Sequence, residues 1–247
     1  MTIVWKGRLS TRTLGRNEMP KDENIDVKER LLKAGLKIFA EKGYNGSTFR
    51  DICDAAGSNI ASINYYFNDK PGFYFAVRDY ARDMMREKME HCWEVAATDP
   101  WKALRMHIDL LLDLSYDDLM FKVNWLSLRE IMDMDNIPQR RMTPEVEANC
   151  RSYEEHMAAM MNSLLGDAAT LQNRNLLRYT YHSLCQFLPI HRQIENKFHK
   201  GNGVFSIAML DRAAMGDFIF DAVKRTVESM KEKFAVQQAS DGKVTNK

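Results

Sequence analysis

Ser47-Thr48-Phe49-Arg50-Asp51-Ile52-Cys53-Asp54-Ala55-Ala56-Gly57-Ser58-Asn59-Ile60-Ala61-Ser62-Ile63-Asn64-Tyr65-Tyr66-Phe67-Asn68-Asp69-Lys70 decides the fold of this chain. It reads as two short helices joined by a turn. Ser47 or Thr48 is placed to cap the first, whose inward face is Phe49, Ile52, Cys53 and Ala56. Gly57 closes that helix, because glycine tolerates the left-handed conformation of a helix end. Asn59 is placed to cap a second helix with Ile60, Ile63 and Phe67 turned inward. Between them lie Ala61, Ser62, Asn64, Tyr65 and Tyr66, small or hydrogen-bonding and none charged. A helix with that outer face suits a DNA major groove, where small residues allow close approach and amides and hydroxyls meet base edges.

The flanks strengthen the pattern. Asp26 to Lys42 reads as an amphipathic helix with Val27, Leu31, Ala34 and Ile38 on one side and Gly43 as its stop. Asp69 is placed to cap a long helix running to about Ala97, with Pro71 near its start where proline is tolerated. From about Val27 to Tyr80 the chain resembles the DNA-binding domain of TetR/AcrR-family transcriptional regulators. The segment from Ala56 to Phe67 resembles the CecR-type branch in particular.

The rest of the chain predicts helices only, at about Trp101–Ser115, Asp117–Asp133, Thr143–Leu165, Thr170–His199 and Ser206–Val236, with no alternating strand pattern. The fold class expected is all-α. A helix-turn-helix domain at 25–75 is joined by the long helix to an effector-binding and dimerisation domain at 76–237. A disordered basic arm at 1–24 and a disordered tail at 238–247 flank them. The arm, with Lys6, Arg8, Arg12, Arg16 and Lys21, reads as a solvated tail or as a contact to DNA phosphates. Gly201-Asn202-Gly203 reads as a helix–helix turn.

With 247 residues, 45% hydrophobic and 28% charged, the composition is that of a globular protein with room for a sizeable core. A net charge of +1 gives no global support for nucleic-acid binding. No membrane partner is expected, since no apolar run reaches spanning length and no signal-peptide core is present. Cys53, Cys92, Cys150 and Cys185 are scattered and read as buried free thiols in a reducing cytoplasm.

No catalytic motif is visible, and no Glu stands three residues before a His, which a carboxylate-bridged di-iron bundle requires. His182, Cys185 and His191 share a helix, but their spacing fits no usual zinc arrangement. No cofactor, no metal and no enzymatic activity are expected.

The family resemblance implies roles for particular residues. Arg50, Ser62 and Asn64 fall where the family often contacts base edges, while Thr48, Tyr65, Tyr66 and Lys70 fall where it contacts phosphates. Asn59 and Ala61 complete the expected DNA-binding set. Asn64 departs from the tyrosine that many members carry there. A small-molecule effector pocket is expected among the middle helices, with Phe121, Trp125, Arg129, Tyr179, His182 and Phe187 as candidate contacts. Two long helices pair with their mates in a homodimer. Their apolar stripes, Tyr181, Leu184 and Leu188 on one and Met215, Ile219, Val223, Val227 and Met230 on the other, read as intramolecular core or, as the resemblance implies, as the interface of that homodimer, and periodicity does not apportion them between the two. The implied function is a homodimeric repressor released from a palindromic operator on double-stranded DNA by a small-molecule effector. A helical enzyme or metal-binding protein without a recognisable motif, and a protein-binding helical adaptor, stay open as other classes.

Overall fold

The computed structural model describes residues 21–132, 137–138, 144–199 and 210–244. Every regular element among these residues is helical: α1 (Lys21–Gly46), α2 (Phe49–Ala56), α3 (Ile60–Phe67), α4 (Lys70–Ala96), α5 (Pro100–Tyr116), α6 (Asp118–Met132), α7 (Pro144–Leu165), α8 (Leu171–Ile194) and α9 (Arg212–Val244). The basic arm up to residue 20 and the Gly201-Asn202-Gly203 turn lie outside the described residues.

Helix α1 starts five residues ahead of Asp26, so positions 21–24 are helical rather than part of an arm. Gly43 breaks it as expected, with φ 73° and ψ 175°. At the other end of the chain α9 runs on to Val244, so positions 238–244 are helical too.

The short helices owe their existence to their caps as well as to packing. Thr48 and Asp51 form a reciprocal capping box: the Asp51 N–H donates to Thr48 Oγ1 and the Thr48 N–H to Asp51 Oδ2, both at 3.1 Å. The Lys42 ammonium donates to the same carboxylate at 2.7 Å, and these hydrogen bonds, Lys42's first, hold its pKa down at about 2. Gly57 ends α2 at φ 60°, where a side chain would be strained. Asn59 caps α3 by accepting from the Ser62 N–H at 3.0 Å. Asp69 caps α4 through the Gly72 N–H at 2.7 Å. Each such cap contributes roughly 1 kcal/mol.

Two hydrophobic cores result. One gathers Leu31, Phe39, Ile52, Ile63, Phe67, Phe73 and Val77 from α1–α4. The close approach of α1 to α4 requires Gly35, since a Cβ there would lie 2.6 Å from atoms of Phe73 and Val77. The second core joins the end of α4 to α5, α7, α8 and α9 through Leu104, Ile108, Leu112, Met160, Tyr181 and Ile219. The first core does not stop at residue 75. It runs along α4 to Ala81 and takes in Val123 and Leu126 of α6, while Met84 and Met85 pack against both cores. No helix among the described residues is long and apolar enough to cross a membrane.

Candidate nucleic-acid interface and ligand cavity

The first core fixes α3 by Ile63 and Phe67, which are 0% and 6% exposed, and thereby decides which residues look outward. Ala61, Asn64 and Tyr65 are exposed on α3, and Arg50 is exposed on α2. The structure thus brings Arg50, Ala61, Asn64 and Tyr65 onto free surface, as a reading face needs. Ile60, expected inside, is 48% exposed, because it sits in the first turn and the helix rotates its burial toward Ile63 and Phe67.

Other members of the expected DNA set have intramolecular partners. Thr48 and Asn59 serve as caps, and the Ser62 hydroxyl donates to Asn59 Oδ1 at 3.3 Å. Tyr66 is half-buried, edge-on to Tyr65 with ring centroids 4.9 Å apart. Lys70 is held most firmly. Its ammonium donates to the Ser47 carbonyl at 2.7 Å and lies 4.6 Å from the centre of the Tyr44 ring, and partial burial lowers its pKa. Lys70 therefore ties the start of α4 to the start of α2, and only its remaining donors can face a phosphate.

A cavity of about 900 Å³ opens in the second domain. Along α4 its wall is one helix face from Arg82 to Glu94, including Met85, Met89 and Trp93. Helix α5 contributes His107, Leu111 and Leu114, and α6 contributes Val123, Asn124 and Ser127. Helix α7 adds Cys150, Tyr153 and His156, and α8 adds His182 and Gln186. Burial is the first cause that lowers both imidazole pKa values, to about 3 for His107 and about 4 for His182. His107 Nδ1 meets the Tyr181 hydroxyl at 3.1 Å. Among the described residues no group of His, Cys, Asp and Glu is arranged to hold a metal ion.

Of the six residues expected in an effector pocket, only His182 lines this cavity. Phe121 and Trp125 stack on each other with centroids 6.0 Å apart, on a neighbouring face of α6, and the Arg192 guanidinium lies over Phe121 at 4.7 Å. Arg129 points the other way and donates to the Glu41 carbonyl at 3.2 Å. Tyr179 and Phe187 are 68% and 59% exposed, on the side of α8 opposite its core face. What the sequence reading missed are Trp93, His107, Asn124 and Tyr153. His107 and Asn124 did carry a signal, each being a polar residue inside an apolar helical stripe.

Most residues expected at a subunit interface are covered within the protomer. Tyr181, Ile219 and Val223 are 0% exposed within the protomer, Val227 is 1% and Leu188 is 9%, so they form its core. Met215 and Met230 pack against that core, and Leu184 alone of the set is exposed. Cys150, expected buried, is exposed, whereas Cys53, Cys92 and Cys185 are buried free thiols.

These features define an all-helical protein with an N-terminal helix-turn-helix and a second helical domain containing a cavity. Residues 31–77 match the model of bacterial regulatory proteins of the tetR family. The chain is 26% identical over 121 residues to the HTH-type transcriptional repressor AcnR of Corynebacterium glutamicum, covering 45% of this chain and 63% of that protein. It is 41% identical over 62 residues to the HTH-type transcriptional dual regulator CecR of Shigella flexneri, covering 25% of this chain and 27% of that one. These alignments therefore span less than two thirds of the curated relatives. Over the whole fold it is similar to a TetR-family transcriptional regulator from Agrobacterium tumefaciens, with a TM-score of 0.56 and 20% identity over 82% of this chain and 98% of the other. AibR, solved with isovaleryl coenzyme A and operator DNA, gives a TM-score of 0.51 at 15% identity over 78% of this chain and 96% of the other. Residues 31–77 are therefore those of a TetR-family DNA-binding domain, and the helical fold of the whole agrees with solved structures of that kind.

Proposed function

We propose that this chain is a homodimeric transcriptional repressor of the cytoplasm, not an enzyme, that leaves a palindromic operator when a small molecule enters the cavity beside α4. The observation that carries this reading is the double role of α4. Its first turns hold Phe73, Tyr74 and Val77 in the core beneath α3, and its later turns from Arg82 to Glu94 form a cavity wall. No flexible linker separates the two, so a ligand that moves the wall moves the reading head.

Helix α6 supports the same coupling. Val123, Asn124 and Ser127 face the cavity, while one turn on Glu130 accepts a hydrogen bond from the Tyr74 hydroxyl at 2.8 Å and pairs with Arg78. Arg129 reaches α1 from the same turn. A ligand between α4 and α6 acts on both supports of the DNA-binding domain. It must favour the non-binding arrangement, because equal affinity for both shifts nothing.

On DNA, Arg50, Ser62 and Asn64 read base edges, and Ala61 permits close approach. Thr48, Tyr65, Tyr66 and Lys70 position the backbone, and Asn59 holds α3 in shape for this. Two copies of α3 need to sit about 34 Å apart to enter successive major grooves. The surface that pairs the subunits is the outer stripe of α8, Leu176, Tyr179, Phe187, Ile190 and Ile194, all exposed in the protomer. A two-fold axis through this stripe makes it self-complementary.

The test is selection of bound sequences from a random DNA pool with the full chain. A two-fold symmetric site with half-sites one helical turn apart is expected. Recovery of no preferred sequence at low salt overturns the reading.

A further inference from the structure

The polarity of the cavity narrows what it holds. Asn124 Nδ2 and His182 Nε2, both on residues of its lining, have no hydrogen-bond partner among the described residues. Asn124 is 8% exposed, so its open donor is a buried group that a bound molecule would satisfy. The imidazoles nearby are neutral at pH 7, being held near 3 and near 4. Most charges around the cavity are already paired: Arg82 with Asp79, Arg86 with Asp83 and Glu90, and Glu154 with Arg178, while Glu94 at the outer end of the α4 wall meets the exposed His91 ring at 3.4 Å. A carboxylate or phosphate bound at Asn124 would lose its hydration and find guanidinium groups that already hold carboxylates, and an ammonium would set its own donors against the open Asn124 N–H.

Part of the lining is aromatic. Trp93 lies within 5.6–5.8 Å, centre to centre, of His107, Tyr153 and His156, and it stacks nearly parallel on His156 at 14°. Flat rings against such a wall gain from offset and edge contacts beyond simple burial. Met85, Met89 and Leu111 complete an adaptable apolar lining.

Resting on the reading of this cavity as the effector site, we propose that its occupant is an uncharged, planar aromatic molecule carrying a carbonyl-type oxygen that accepts from Asn124 Nδ2. His182 Nε2 provides the second polar contact, as donor or acceptor according to its tautomer.

Three fluorophores that share a three-ring plane and differ in charge test this: acridone (uncharged, with a carbonyl), 9-anthroate (anionic) and 9-aminoacridine (cationic). The full chain is titrated into each. Acridone should bind at least about tenfold more tightly than either charged probe. Asn124→Leu should weaken acridone about fivefold, the loss of one hydrogen bond, in a chain that circular dichroism shows to be folded. Asn124→Asp, which turns the donor into a carboxylate at equal size, should weaken acridone about tenfold or more and strengthen 9-aminoacridine. The proposal is overturned if acridone does not bind, if either charged probe binds the unaltered chain as tightly, or if Asn124→Leu leaves acridone affinity unchanged. Titrating the selected operator with each probe present separates the two readings. Acridone binding that leaves operator affinity unchanged keeps the ligand class and removes the effector role. A charged probe that binds and releases DNA does the reverse.

Discussion

Arg50 and Asn64 differ from Lys70 in what holds them, and the difference predicts their behaviour on DNA. The first two are exposed, on α2 and α3. Their replacement by alanine should relax preference at particular base pairs by about 1–3 kcal/mol each. Lys70 already donates to Ser47 across the start of α2. Lys70→Ala should weaken all sequences about equally, lower the salt slope by roughly 1 per subunit, and cost about 1 kcal/mol of stability through the lost anchor. A panel of operator variants titrated at two salt concentrations, beside a urea melt, separates these outcomes. If Lys70→Ala changed base preference while Arg50→Ala and Asn64→Ala did not, the roles would be reversed. His107 and His182 make a second prediction at this scale. Both are neutral in the fold, with pKa values below the ordinary 6.5. The unfolded chain therefore binds more protons once the pH falls under about 6.5. Stability should be fully present above that value and should fall on acidification to about pH 4, by up to roughly 1.4 kcal/mol per pH unit for each imidazole. Urea unfolding at pH 7, 6 and 5 reads the slope, and His182→Gln should reduce it by about half. A flat profile would exclude the buried neutral pair.

At the scale of the helix, α8 shows what a sequence can and cannot reveal. Tyr181, Leu188 and Cys185 recur at helical spacing and are buried, while Leu176, Tyr179, Phe187 and Ile190 recur at the same spacing on the opposite side and are exposed. Periodicity identifies an apolar stripe but does not say whether the protomer or a second copy covers it. That is why the expected interface fell on the core stripe. The helix-turn-helix was legible down to single residues because its signals are local: Thr48, Gly57, Asn59 and Asp69 each act within a few positions of themselves. The cavity was not, since it depends on which faces of α4–α8 come together over sequence distances that no pattern records. Helix α6 carries a prediction of its own. Glu130 joins it to Tyr74 and Arg78 of α4, one turn from the cavity-lining Ser127. Glu130→Ala should leave both DNA and effector binding measurable while shrinking their coupling from the usual range of 1–3 kcal/mol. Operator titrations with and without effector close that cycle. Undiminished coupling would show that the signal runs through α4 alone.

For the molecule as a whole, the arrangement of apolar surface distinguishes folding from assembly. Val227 is 1% exposed in the second core, and Phe187 is 59% exposed on α8. A charge at either position would disfavour a dimer, but for different reasons. Val227→Glu places an unpaired carboxylate in the core of the protomer, which costs several kcal/mol and should unfold the domain. Phe187→Glu adds a charge to a position that water reaches in the monomer, so the fold should survive. In a two-fold pairing each copy would then bring its charge against the other's apolar stripe. The variant should be monomeric at micromolar concentration, with the helical content and melting behaviour of a folded chain. Its operator binding should fall by about 10²-fold or more, since the second half-site contact loses its tether and with it the gain of an intramolecular second event. Light scattering and circular dichroism on both variants, followed by an operator titration of Phe187→Glu, distinguish the cases. If Phe187→Glu stays dimeric and binds DNA normally, the outer stripe of α8 is not the pairing surface. If Val227→Glu instead gives a folded monomer, the core assignment for α9 is the error.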